Sequence, residues 1–166
     1  MWQTPRNVPG LLPAMSTSPP ATDTSRLRLI VESYARLTRR ELPLAPADDL
    51  ATALWLAPAA IVAHGTEPDP VFFYGNRLAL ELFEMDFAVF TRLPSRFSAE
   101  PLRREERALL LARVARDGFI DDYSGIRIAA SGRRFRIERA TVWNLVDAAG
   151  LTHGQAATFA HWTPLE

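Results

Sequence analysis

The stretch RRFRIERATVW, residues 133–143, sets an arginine where a strand would point inward. Phe135 and Ile137 alternate with charged neighbours, the period of two that marks a half-buried strand. Continued unbroken, that period puts Arg139 and Thr141 on the same side as Phe135, Ile137, Trp143 and Leu145. A guanidinium facing the core needs a counter-charge, because an unpaired buried charge is strongly unfavourable. Three arrangements would meet that need. A β-bulge near Ala140 would flip the register and return Arg139 to solvent. Asp121 or Asp122, at the entry to the neighbouring strand, would pair with it internally. A ligand carboxylate or phosphate would be held by its planar fork.

Other side chains could share such a site. Tyr74, Phe135, Thr141 and Trp143 together make a mostly apolar lining with a few polar points, the usual make-up of a small-molecule cavity, although aromatic residues at alternating positions equally well fill a core. Gln155 shares a strand face with Ala157, Phe159 and His161 and offers an amide, at the rim or to a ligand. The three histidines, His64, His153 and His161, lie in separate segments and lack the close spacing of metal ligands, so no metal site is expected. His64, in AHGTEPD, reads as a turn or packing residue, with axial ligation as the sharper alternative. Asp121, Asp122, Tyr123 and His64 are the only material for an isomerase or lyase, and no nucleophile, metal or phosphate-loop signature accompanies them.

Composition narrows the rest. The 166 residues suffice for one domain with a real core, and 48% hydrophobic with 23% charged residues is the balance of a globular chain. Nineteen basic and nineteen acidic residues give no overall field toward nucleic acid, so none is expected as a direct partner. The absence of cysteine excludes disulfides, thiolate metal sites and a flavin–cysteinyl adduct. No apolar run approaches a membrane span, and prolines 5, 9 and 13 interrupt any secretory signal, so a cytoplasmic protein is expected.

The elements that must position these residues follow from periodicity. Residues 1–23, rich in Pro, Ser and Thr, are expected to form a disordered tail. From 24 to 41, Leu27, Ile30, Val31, Tyr34 and Leu37 share a helical face, with Thr24 or Ser25 as cap. A second helix is expected from about Asp48 to Leu56. AAIVAHG and VFFYG read as a hairpin. Asn76 is placed to cap the helix RLALELFEM, and Asp86 the short segment after it. The longest later helix runs from Pro101 to Gly118, with Leu109, Leu110 and Val114 as its packing face. From Asp121 the period becomes two, and three antiparallel strands are expected.

The order of two strands, short helices, a long helix and three strands resembles the PAS domain. FYGNRLALELFEMD is similar to the segment in which a PAS strand ends on asparagine before a helix, and DDYSGIRIAASGRRFRIE to its later strands. More closely, LWLAPAAIVAHGTEPDPVFFYGNRLALELFE, LPSRFSAEP, GFIDDYSGIRI, GRRFRIERATVWNL and HGQAATF together resemble the MEKHLA domain family over residues 26–162. That resemblance implies an α+β, PAS-like five-stranded antiparallel sheet with helices on one face, preceded by one or two N-terminal helices. The domain would span 24–166, with N-terminal helices at 24–57 and a PAS-like core at 58–162. It further implies a stand-alone bacterial protein that senses a small molecule and signals through protein contact, with a ligand-free interaction module or a small enzyme as alternatives. The N-terminal helix would join a homodimer. No cofactor is assigned: heme and noncovalent flavin stay open without supporting residues.

Overall fold

Helices in the first half begin where a short carboxylate or amide precedes an apolar periodic run. In a computed structural model describing residues 16–102 and 104–166, Asp23 caps α1 (Thr24–Thr38), Asp49 caps α2 (Leu50–Trp55), Asn76 caps α3 (Arg77–Phe83) and Asp86 caps α4 (Phe87–Phe90). Each side-chain oxygen accepts an amide that the first helical turn leaves without a partner. The cap of α1 is thus Asp23, one residue before the two that spacing suggested. Of the tail expected over residues 1–23, residues 1–15 lie outside the described residues. Residues 16–23 carry no helix or strand, and the Ser16 carbonyl accepts a hydrogen bond from Trp55 Nε1 at 2.9 Å.

The strands are β1 (Ala60–His64), β2 (Phe72–Gly75), β3 (Phe119–Ile128), β4 (Arg134–Val146), β5 (Thr152–Phe159) and β6 (His161–Leu165), with α5 (Arg104–Asp117) before β3. All pair antiparallel in the order β2-β1-β5-β4-β3, and β6 continues along β4 beyond a bend at Ala160. The sheet is the expected five-stranded one, its last strand broken in two. Gly118, at φ +80, ends α5 in the left-handed region that suits glycine and turns the chain into β3.

Tyr123 pairs with Ala140 and Gly125 with Ile137, so Glu138 and Arg139 together oppose Ser124. That is a β-bulge, with Arg139 at φ +52 and exposed. The extra residue reverses the alternation. Phe135 and Ile137 join the cluster under α3 and α4, while Trp143 and Leu145 join the cluster under α1 on the opposite face. Burial of the guanidinium is therefore corrected, and with it both pairing schemes that required it. Asp121 and Asp122 pair instead with Arg40, at 3.2 Å, and Arg113, at 2.7 Å.

An L-residue other than glycine is disfavoured in the left-handed region by roughly 1–2 kcal/mol. Arg139→Gly is accordingly expected to leave the fold intact and raise the unfolding free energy by up to about 1 kcal/mol, read from urea denaturation. A clear loss of stability would mean that the guanidinium makes contacts the fold needs.

Both faces of the sheet are covered. Helices α3 and α4 pack on the inner face around Leu80, Phe83 and Phe90. On the outer face α1 sets Leu27, Ile30 and Tyr34 over Ile61, Trp143 and Leu145. The apolar face of α1 is thus covered by its own sheet, which removes the reason for expecting it to hold a homodimer together. The packing face of α5 also differs from expectation. Val114 is buried and Leu110 partly so, but Leu109 is 67% exposed, because positions four apart share a helical face and a direct neighbour does not.

Candidate ligand site on the inner face of the sheet

The candidate residues separate between the two faces. Thr141 and Trp143 lie on the α1 side, where Trp143 Nε1 donates to Ser33 Oγ at 3.0 Å and its indole meets Tyr34 edge-on at 5.0 Å. Tyr74 belongs to the same outer cluster. Its hydroxyl is buried without a hydrogen-bond partner among the described residues, and burial pushes its pKa well above the usual phenol value. Phe135 faces inward but is packed edge-on against Phe83 at 5.4 Å within the filled core. Arg139 is in solvent. Gln155 alone of the six faces the inner side while staying partly exposed, and its Nε2 donates to Asn144 Oδ1 at 3.3 Å.

Asn76 is fully buried and does more than cap a helix. Its Oδ1 accepts from Ile61 N at 3.0 Å and from Ala79 N at 3.2 Å. Its Nδ2 donates to Leu54 O at 3.2 Å and to Ala59 O at 2.8 Å. One amide therefore ties the end of α2, the start of β1 and the start of α3 together.

The inner face is unevenly filled. Beneath α3 and α4, Leu80, Phe83, Phe90 and Ile137 are completely buried, and Phe72 stacks on Phe90 at 4.3 Å. Beneath α5 the packing is thinner: Val114, Ile120 and Val142 form a small buried cluster flanked by Leu110, Tyr123 and Ala157. Ala157 sits on β5, between β1 and β4 in the middle of the sheet, and yet is only partly buried, whereas its neighbours Ala156 and Thr158 are buried. A central-strand residue keeps accessible surface only where its cover is incomplete. The partly exposed inner-face groups Asn144, Gln155, Ala157, Tyr123 and Arg127 thus mark a recess between the sheet and α5.

On the inner face Arg127, which the sequence did not single out, joins Tyr123, which it offered only as material for catalysis. Tyr123, Gly125 and Arg127 alternate on β3, and Arg127 stands opposite Phe135. A Cβ on Gly125 would collide with the Tyr123 hydroxyl, so the glycine lets the tyrosine ring lie flat along the strand. The Arg127 guanidinium lies 5.5 Å from the centre of that ring, a cation–π distance. A glycine inside the alternating run YSGIRI was the available sequence signal.

An open groove, about 730 Å³, lies on the outer side between α1, the β1–β2 loop and the β4–β5 turn. Arg26 there stacks over Phe73 at 4.6 Å. His153 contacts Asp147 at 2.7 Å, and that hydrogen bond, before those from the Leu151 and Ala149 amides, holds the Asp147 carboxyl below its ordinary range. Arg26 and Arg28 share this groove with Glu32, Glu67 and Asp147, so it presents no single charge to a ligand.

The residues suggested for catalysis are not assembled. Asp121 and Asp122 stand in exposed ion pairs, and His64 Nδ1 contacts the carbonyl of Gly65 at 2.9 Å. Among the described residues no group of three or more His, Cys, Asp or Glu could hold a metal ion, and no helix is long and apolar enough to cross a membrane.

Sheet order and helix placement define a PAS/LOV-like α+β domain. The light-state dimer of the fungal blue-light photoreceptor Vivid superimposes with a TM-score of 0.56 at 13% identity, over 90% of this chain and 97% of that one. A PAS domain from Colwellia psychrerythraea gives 0.56 at 14% identity, over 69% and 92%. Within that class the chain belongs to the MEKHLA domain family, which matches residues 24–164. The homeobox-leucine zipper protein ATHB-9 of Arabidopsis thaliana is 28% identical over 96% of this chain and 19% of its own length, and REVOLUTA of the same plant is 25% identical over 81% and 17%. The chain thus spans under a fifth of these curated relatives. They are plant proteins, and the expected stand-alone bacterial setting has no support from them.

A flavin of the kind named with one LOV neighbour does not suit these residues. The chain has no cysteine for an adduct, and the interior beneath α3 and α4 is filled by Phe83, Phe90 and Ile137.

Proposed function

We propose that this chain is a sensory or regulatory module acting in the cytoplasm, which binds a small molecule between its sheet and α5 and passes the result on through protein contact. The observation that carries this reading is the partial exposure of Ala157 on the central strand of the sheet, between β1 and β4. Around it lie an amide pair, Asn144 and Gln155, and an apolar floor of Ile120 and Val142. That mixture of apolar walls and a few fixed polar groups is what small-molecule sites contain. Helix α5 fits the role of a cover, since one turn of it packs and the remainder presents Leu109 and Leu111 to water. The relatives are homeobox-leucine zipper proteins several times longer, which supports a regulatory role for the domain.

Native mass spectrometry of the purified chain, with an absorption spectrum of whatever is released, tests the reading. A small molecule that is retained and not transformed is the expected result. The dense aromatic packing under α3 and α4 favours a second reading, a ligand-free interaction module. It predicts a bare chain whose unfolding temperature no small-molecule library shifts.

A further inference from the structure

We propose that the recess under α5 takes a small ligand with a carboxylate at one end and an apolar body, and that Arg127 is the anchor for the charge. The inference rests on the recess described above and names the chemistry it selects. Arg127 points to the inner face of β3, where it is only partly exposed and desolvation lowers its pKa, and no described carboxylate forms an ion pair with it. Glu100, the acidic residue brought beside it by the bridge between Ala99 and Arg127, is otherwise engaged. The Glu100 amide donates to the Ile126 carbonyl at 3.1 Å, but the Glu100 carboxylate accepts from Arg134 Nε at 2.6 Å. Among the described residues the Tyr123 ring is the side chain that the Arg127 guanidinium is seen to meet.

A guanidinium held partly out of water without an anion is unfavourable. Its planar fork is the group that grips a carboxylate with two parallel hydrogen bonds. The Tyr123 ring that it stacks on leads directly into the apolar cluster of Val114, Ile120 and Val142, with Ala157 opposite. A ligand whose anion meets Arg127 therefore lays its apolar body along Tyr123 toward Ala157. Gly125 is what keeps that path open.

The test is a two-dimensional NMR titration of the full chain with three probes: benzoate, benzyl alcohol and inorganic phosphate. Benzoate is expected to shift the amides around Tyr123, Val142 and Ala157 and the Arg127 side chain, saturably. Benzyl alcohol lacks the charge and phosphate lacks the apolar body, so each should bind at least about tenfold more weakly. Arg127→Met keeps the aliphatic stem and should weaken benzoate by a similar factor, with Arg127→Lys in between. If benzyl alcohol binds under α5 as well as benzoate does, or Arg127→Met leaves the benzoate affinity unchanged, the anchor is overturned and the recess stands. If no probe shifts the inner-face amides, or the shifts fall only on the outer groove, both are overturned.

Discussion

Replacing Asn76 by alanine is expected to cost on the order of 3–5 kcal/mol, at the upper end of what single substitutions do. The side chain is fully buried and makes four hydrogen bonds, so its loss leaves the amides of Ile61 and Ala79 and the carbonyl of Ala59 without their partner and takes from the Leu54 carbonyl one of its hydrogen bonds, the Ala57 amide remaining. Each orphaned buried group forfeits roughly 1–3 kcal/mol, less whatever local relaxation recovers. Asn76→Asp should do nearly as badly, since it keeps the acceptor but turns a carboxylate toward the carbonyls of Leu54 and Ala59. Urea unfolding reads the change as a shift of midpoint at constant slope. A loss below about 1 kcal/mol would show that α2, β1 and α3 hold their places without this amide.

Trp143→Ala is the second large effect, expected at about 3–5 kcal/mol. The indole is completely buried between the sheet and α1, where it packs on Tyr34 and donates to Ser33. Removing it empties the centre of the outer cluster, and the cavity cannot collapse because β4 is paired on both sides. Trp143→Phe should recover more than half of the loss, because it keeps most of the volume and forfeits one hydrogen bond. The same substitutions separate two uses of this residue. A tryptophan lining a ligand cavity would tolerate truncation and change what is bound, whereas the tryptophan under α1 should lower stability and leave inner-face binding unaltered in the fraction that stays folded.

The contrast between Asn76 and Trp143 shows what could be read from sequence. Asn76 stands between a short strand and an amphipathic run, a local signal, and local signals place caps and helix starts to within a residue or two. The fold class was equally legible, because PAS-like segments follow one another in order along the chain. The assignment of Trp143 to a face was not, since it depends on a parity count across Arg139. A single extra residue at Glu138–Arg139 reverses every later side chain. Nothing local announces it: the bulge sits where arginine, not glycine, adopts the left-handed conformation. That one inversion moves Thr141 and Trp143 out of the expected cavity and brings Ala140, Val142 and Asn144 into its wall. Arg127 suffered the opposite fate. The alternation Tyr123, Gly125, Arg127 was plain, but only the pairing with β4 shows that it faces inward. The place of α1 on the outer face is likewise a tertiary fact, since an amphipathic helix declares that it is covered and not by what.

Filling the recess tests its existence without any knowledge of a ligand. Ala157 and Ala140 both face inward on adjacent strands, yet the first is partly exposed and the second completely buried. Ala157→Leu should enter open space and change the unfolding free energy by less than about 1 kcal/mol in either direction, while Ala140→Leu, forced into packed surroundings, should lose about 1–3 kcal/mol or more. Equal and large losses at the two positions would contradict the account, because they would mean that α5 closes on the sheet as tightly as α3 and α4 do.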